Sequence, residues 1–163
     1  WNGTTNTNKN VSPFNDPHAY PFISPTTGSV SAIGISVTNA EAGDSLYVAI
    51  YSQDDNFLPE TLLGYATISL ESTGVIYQTS LSATITLTAG QQYWFSVSLT
   101  ASSSAWITAS SSQYQPVIGI TATLTTKHYV VSDTAVGGYE VPPSTFTPGK
   151  LENEDRPLIG LKF

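Results

Sequence analysis

The sequence predicts an all-β fold, an antiparallel two-sheet β-sandwich of the jelly-roll type. Between Ile33 and Leu99, apolar and polar residues alternate in the stretches IGISVT, SLYVAIY, ATITLT and YWFSVSL, and no helical period occurs there. Turn-forming residues separate these stretches, and this alternation is typical of strands with one dry and one wet face. A run of about ten short strands favours a sandwich, with a lipocalin-like barrel as the main alternative.

The chain of 163 residues is long enough for one domain with a sizeable core. Residues 1–17 are rich in Asn and Thr and contain Pro13 and Pro17, a composition that buries little apolar surface. We therefore expect a polar N-terminal arm or linker at 1–17 and a single sandwich domain at 18–163. The chain begins with Trp1 and contains no Met, from which we expect a fragment or a processed product.

The strands are expected in order at 19–24, 31–38, 45–51, 62–70, 75–81, 83–88 and 93–99. Residues around Trp106 predict a short edge strand, 117–124 and 128–132 predict strands, and 133–157, with its Gly and Pro pairs, predicts an irregular segment. Residues 158–163 predict a closing strand that returns beside an early one. Within each stretch the core-facing residues share one parity: Ile33, Ile35, Val37; Leu46, Val48, Ile50; Ile85, Leu87; Tyr93, Phe95, Val97, Leu99; Ile118, Ile120, Ala122, Leu124.

Composition and charge exclude several classes of function. Five Lys and Arg against twelve Asp and Glu give a net charge of −7, which repels the phosphate backbone, so we expect no nucleic-acid binding. No apolar run approaches the roughly 20 residues that cross a bilayer, so we expect no membrane insertion. The chain has no Cys and therefore no disulfide or thiol chemistry.

The sequence contains no recognisable catalytic motif. A nucleophilic Ser needs a base, and only His18 and His128 are present, without a Gly-x-Ser-x-Gly motif. The acidic residues cluster as sequence neighbours in loops, whereas the acid/base pair of a glycosidase usually comes from separate strands. We therefore expect a protein that is not an enzyme and that has no catalytic residues.

The sequence offers candidates for two kinds of ligand site, a calcium site and a glycan site. Asp54, Asp55 and Asn56 offer the hard oxygen ligands that Ca²⁺ takes, although their spacing is not that of an EF-hand and a solvated turn is the alternative. No other cofactor is expected. Glycan binding uses exposed aromatic rings, and the aromatic residues in loop-like sequence are the candidates: Trp106, Tyr114, Tyr139 and Phe146. For Trp106 the alternative is burial in the core.

Several short sequence motifs follow one another along the chain in a characteristic order. Tyr20, Pro21 and Phe22 are followed by IGISVT, by the phrase IYSQDDNFLPETLL and by a strand after Gly74, and Leu87, Gly90, Tyr93 and Trp94 complete the order. This order, together with the final RPLIGLKF, resembles β-sandwich modules of bacteriophage tail fibres and minor virion structural proteins. The chain departs from that pattern where Phe57 and Glu60 replace the usual loop glycine.

The resemblance implies a virion component without enzymatic activity. Its expected role is host-surface attachment or particle assembly, its expected partners are other virion proteins and further copies of itself, as a homotrimer, and a host-surface glycan is its candidate ligand. A capsid decoration or collar protein and a secreted carbohydrate-binding module are the alternatives. We expect the function to lie in the loops 53–60, 102–115 and 133–157 and in the surface by which copies associate.

Overall fold

A computed structural model of the chain describes residues 6–10, 14, 16–101, 105–110, 129–132, 141–152 and 156–163. These residues form strands and connecting segments, with no α-helix among them, which confirms the all-β class. The strands are β1 (Asn6–Asn10), β2 (His18–Ile23), β3 (Gly28–Ser29), β4 (Ala32–Asn39), β5 (Ser45–Gln53), β6 (Pro59–Ser69), β7 (Gly74–Gln78), β8 (Thr86–Leu87), β9 (Gln92–Leu99), β10 (Trp106–Ser110), β11 (Tyr129–Ser132), β12 (Pro148–Glu152), β13 (Arg156–Pro157) and β14 (Ile159–Lys162).

Two antiparallel six-stranded sheets form the body of the fold. The first sheet has the order β1-β10-β4-β14, with β13 beside β10 and β7 beside β4, and the second has the order β12-β11-β2-β9-β5-β6. A small third sheet pairs β3 with β8. The closing strand β14 pairs with β4 and so returns beside an early strand, as the sequence predicts. No helix that could cross a membrane occurs in the described ranges.

The two large sheets pack face to face around one hydrophobic core. Ile35 of β4 and Ile107 of β10 come from the first sheet, and Val48 of β5 and Val97 of β9 from the second, and all are buried in one cluster. Tyr20 and Phe95 stack within this core with ring centroids 5.4 Å apart. The parity expected for β4, β5, β8 and β9 is confirmed, except that Tyr93 is only partly buried. The expected strand at 117–124 lies outside the described residues.

The outer face of the second sheet is also buried in part. The alternating sequence predicts that this face is exposed to solvent, so the burial differs from the expectation. Ala49, Tyr51 and Trp94 lie on that face and are buried in a second cluster together with Phe146. The segment 141–147 covers this part of the sheet, because Thr145 bridges to Thr61 at the free edge of β6. One row of this face has small buried side chains, since Ser96 of β9 lies between Ala19 of β2 and Ala49 of β5, and this row leaves room for close packing.

The N-terminal region and β10 also differ from the expectation. Residues 1–17 were expected as an arm or linker, but Asn6–Asn10 form β1 and pair with all of β10, and Phe14 is fully buried in the core. The sandwich therefore begins before residue 18. Because β10 lies between β1 and β4, it is an interior strand and not the expected edge strand. Residues 148–152, expected as irregular, form β12 beside β11.

Candidate functional site

The outer face of the first sheet carries two exposed aromatic rings, those of Tyr77 and Trp106. It is the side of β4, β7, β10 and β14 that points away from the core, and alternation with buried residues assigns its members. They are Gly34, Ser36, Thr38, Val75, Tyr77, Trp106, Thr108, Gly160 and Lys162.

Trp106 lies at the start of β10 and points to solvent. Its neighbours Ala105 and Ile107 are fully buried, whereas Trp106 itself is 39 % exposed. The burial alternative from the sequence is therefore wrong, because the parity of β10 puts Ile107 in the core and Trp106 on the opposite side. A large apolar ring held in solvent by an interior strand is a candidate contact for a ligand.

An irregularity in strand pairing occurs beside Trp106. Trp106 pairs with Asn39, but the next residue, Ile107, pairs with Val37, so Thr38 is an extra residue in β4. Such a β-bulge increases the local twist and changes the direction of nearby side chains. Thr38 and Asn39 are both exposed here. The bulge therefore places exposed polar residues next to the indole ring.

The next row along this face is fixed by a hydrogen bond between side chains. The hydroxyl of Thr108 on β10 donates to the Ser36 hydroxyl on β4 over 2.8 Å. Thr108 is largely buried. This bond ties β10 to β4 directly after the bulge and holds the sheet beneath Trp106 in one arrangement.

Tyr77 was not predicted as a site residue, yet 38 % of it is exposed. Its ring lies across Gly34 on β4, and its hydroxyl reaches Gly160 on β14, 2.8 Å from where a Cβ would stand. The ammonium of Lys162 lies 3.9 Å from the centre of the ring, a favourable cation–π distance. The sequence signal for this arrangement is a glycine inside each of two strands, which marks a close approach of another group.

The other glycan candidates do not join Trp106. Phe146, expected as an exposed ring, is 2 % exposed and packs edge-on against Tyr51 with ring centroids 5.3 Å apart. That expectation is wrong, because the backbone N–H of Phe146 donates to Glu60 O over 2.7 Å and seats the ring on the second sheet. Tyr114 and Tyr139 lie outside the described residues.

The calcium candidates form the tight turn between β5 and β6. The Asp54 carboxylate accepts hydrogen bonds from the backbone N–H groups of Asn56 (2.9 Å) and Leu58 (2.8 Å). Asp55 and Asn56 are exposed. The geometry thus gives Asp54 a role in the turn itself, and calcium binding by Asp54, Asp55 and Asn56 stays a prediction.

Phe57, at the end of this turn, has a left-handed backbone with φ of 63°. Its N–H donates to Asp54 O over 3.1 Å, and Asp54 N–H donates to Leu58 O over 2.8 Å. A turn of this type is followed by a left-handed residue that is usually glycine. Phe57 therefore occupies a position in the turn at which glycine is the usual residue.

The histidines and the possible metal ligands bear on the chemistry that the chain could carry out. His18 is buried, with its ring edge-on to Phe14 at 5.1 Å between centroids, and His128 lies outside the described residues. Within the described ranges, no group of three or more His, Cys, Asp or Glu side chains is placed to hold a metal ion.

No protein-family model, curated protein or solved structure matches this chain.

Proposed function

We propose that this chain is a non-enzymatic module of a virion, carried by a bacteriophage tail fibre or a similar appendage, and that it attaches the particle to a glycan on the host surface. The observation that carries the glycan part of the proposal is the exposed ring of Trp106 on an interior strand. The ordered phrases between Tyr20 and Trp94 support the virion part.

The physical case for a sugar ligand rests on what surrounds Trp106. Sugars present C–H faces that stack on an aromatic ring, and hydroxyls that need hydrogen-bonding partners. Thr38 and Asn39 supply such partners next to the ring, since both are exposed at the bulge. The Thr108–Ser36 bond fixes the strands below the ring, so that little conformational entropy is lost when the ligand binds.

A sheet surface that is held in one arrangement suits repeated weak contacts. Single glycan contacts of one ring and a few hydroxyls are weak, and several copies on one particle raise the overall strength through effective concentration. An appendage with several identical modules therefore binds a surface more strongly than a single module does.

Two alternative functions differ in the ligand or in the particle. A capsid decoration protein would use the same sandwich without a glycan, and a secreted carbohydrate-binding module would bind the glycan without a particle.

Glycan-array binding by the isolated chain tests the ligand. Trp106→Ala is expected to weaken binding to any sugar that the chain recognises by about tenfold or more, which corresponds to about 1.4 kcal/mol. Val141→Ala is the matched control, because Val141 is exposed, is not aromatic and lies in the segment 141–147, which covers the second sheet. Absence of any array signal, or equal loss in both variants, overturns the glycan assignment.

The virion assignment has its own test in the genome. The gene that encodes this chain is expected to adjoin genes for tail or capsid proteins. A location among genes for secreted enzymes, together with an array signal, would favour the secreted carbohydrate-binding module instead.

A further inference from the structure

Strand β7 is the outermost strand of the first sheet. Its five residues pair with β4, from Gly74 opposite Val37 to Gln78 opposite Ile33. No other strand among those described pairs with its second edge. An edge strand presents its unpaired N–H and C=O groups as a template for another strand.

This edge has none of the usual protection against pairing. Natural edge strands carry Lys or other charges, Pro, or a bulge, whereas β7 has the sequence GVIYQ and an uninterrupted register with β4. No Asp, Glu, Lys, Arg or His occurs between Ser72 and Thr126. Val75 is 64 % exposed, the highest value among the large apolar residues that the structure exposes. The strand β7 and the residues that flank it therefore contribute no charged side chain to this edge, and the charge described next to it is the ammonium of Lys162 on β14, which lies against the ring of Tyr77.

We propose that β7 is a self-association edge, at which the β7 strands of two copies pair antiparallel about a two-fold axis through Ile76. The sequence around Ile76 is nearly palindromic in residue class, so a two-fold register places complementary residues opposite one another. Within β7 the pairs, each between the two copies, are Ile76 with Ile76, Val75 with Tyr77 and Gly74 with Gln78. Beyond the ends of β7 the same register would place Thr73 opposite Thr79 and Ser72 opposite Ser80.

These pairs are of the kinds that stabilise antiparallel strands. Aromatic residues opposite β-branched residues, and Thr opposite Thr, are favourable cross-strand pairs, and like charges opposite one another are unfavourable. The register provides two Val75–Tyr77 pairs on the outer face and brings no charges together. The ring of Tyr77 leans over Gly34 and Gly160, away from the free edge, so the second strand can approach without a clash, and Val75 of the other copy faces the Cβ end of Tyr77 and not its ring.

The contact is expected to be weak in isolation. A five-residue edge buries less than the area typical of stable complexes, so the dimer gains strength when an attached assembly raises the local concentration. A two-fold edge contact gives a dimer in place of the homotrimer expected from the resemblance. The inference does not rest on glycan binding, because Trp106 lies on β10 and not on this edge.

Sedimentation velocity over a range of protein concentrations up to about 1 mM tests the proposal. The wild-type chain is expected to show a concentration-dependent shift from monomer to dimer. Val75→Lys is expected to raise the dimer dissociation constant at least about tenfold. Val141→Lys is the matched control, since Val141 is 54 % exposed and lies in the segment that covers the second sheet. A chain that stays monomeric, or an equal effect of both variants, overturns the proposal.

Cysteine cross-linking tests the register. The chain has no Cys of its own, so only the introduced cysteines can form a disulfide. A mixture of the Val75→Cys and Tyr77→Cys variants is expected to form the mixed disulfide under mild oxidation. Either variant alone is expected to cross-link several-fold less, because identical positions lie diagonally across the axis. Equal cross-linking in all three samples overturns the two-fold register about Ile76.

Discussion

The ring of Tyr77 lies so close to Gly34 that a Cβ on Gly34 would stand 2.6 Å from Tyr77 Cδ1. The same added atom would stand 2.9 Å from the carbonyl oxygen of Ile76, which belongs to the backbone of β7. Strand β7 can therefore pair with β4 in this arrangement only because residue 34 has no side chain. The conformation of Tyr77 and the position of the β7 edge are coupled through one glycine.

Gly34→Ala is expected to destabilise the fold by about 1–3 kcal/mol, because both the Tyr77 ring and the β7 backbone must move. Urea unfolding provides the measurement. Gly28→Ala is the matched control, since the nearest atom to its added Cβ is 3.6 Å away, and it is expected to change stability by no more than about 0.5 kcal/mol. Equal stability of the two variants would contradict the packing described for Tyr77.

Phe57→Gly is expected to be more stable than Phe57→Ala by about 1 kcal/mol, because only glycine adopts a φ near 63° without steric cost. Both variants remove the ring, so their difference isolates the backbone effect. The order should reverse at Thr67, an exposed position within β6, where Ala is expected to be better than Gly. Thermal unfolding of the four variants gives the comparison, and Ala ahead of Gly at residue 57 would count against a left-handed Phe57.

Asp54→Ala is expected to cost about 1–2 kcal/mol, because the backbone N–H groups of Asn56 and Leu58 lose their acceptor. Asp55→Ala, one residue further along the same exposed turn, is expected to change stability by less than about 0.5 kcal/mol. Chemical unfolding at neutral pH and without added calcium is the appropriate measurement. If both variants lose the same stability, the carboxylate of Asp54 does not organise the turn.

Tyr51 gives the fold a dependence on alkaline pH. Its hydroxyl donates to Pro143 O over 3.0 Å, and burial raises the pKa of this hydroxyl well above its ordinary value near 10. The folded state therefore holds the proton more tightly than the unfolded chain does. This contribution to stability is complete below about pH 10 and is lost as the pH rises above it.

Tyr51→Phe is expected to lower the free energy of unfolding by about 1 kcal/mol at neutral pH, because the Pro143 carbonyl loses its donor. Above about pH 10 the wild-type chain is expected to lose stability faster than the variant, so that the difference shrinks. Urea unfolding at a series of pH values measures both effects. A difference that stays constant up to high pH would contradict the burial of this hydroxyl.

The inward faces of the strands could be predicted because the period of a strand is two residues. Ile33, Ile35 and Val37 must share a face in any extended backbone, and one buried face fixes which one it is. The return of β14 beside β4 followed from general rules on sandwich connections. The first feature depends on local pattern and the second on a topology that is common among sandwiches, and both are as expected.

Features that depend on contacts between distant segments could not be predicted in this way. The burial of Phe146 requires residues 144–146 to hydrogen-bond along the edge of β6, as the donation from Leu62 N–H to Ser144 O shows. The polar composition of Asn6–Asn10 concealed a strand that is held by β10. The exposure of Trp106 could be derived from the parity of Ile107, but only once β10 was known to be an interior strand.

The role of the Trp106 ring in glycan binding is tested by binding isotherms of the wild-type chain, Trp106→Ala and Trp106→Phe with the strongest array ligand. The affinity is expected to fall at least about tenfold in Trp106→Ala, corresponding to about 1.4 kcal/mol, and to recover in part in Trp106→Phe, which keeps an aromatic face. Unfolding curves of the variants should stay close to that of the wild type, since Trp106 points to solvent. Undiminished affinity in a folded Trp106→Ala variant would contradict this role of the ring.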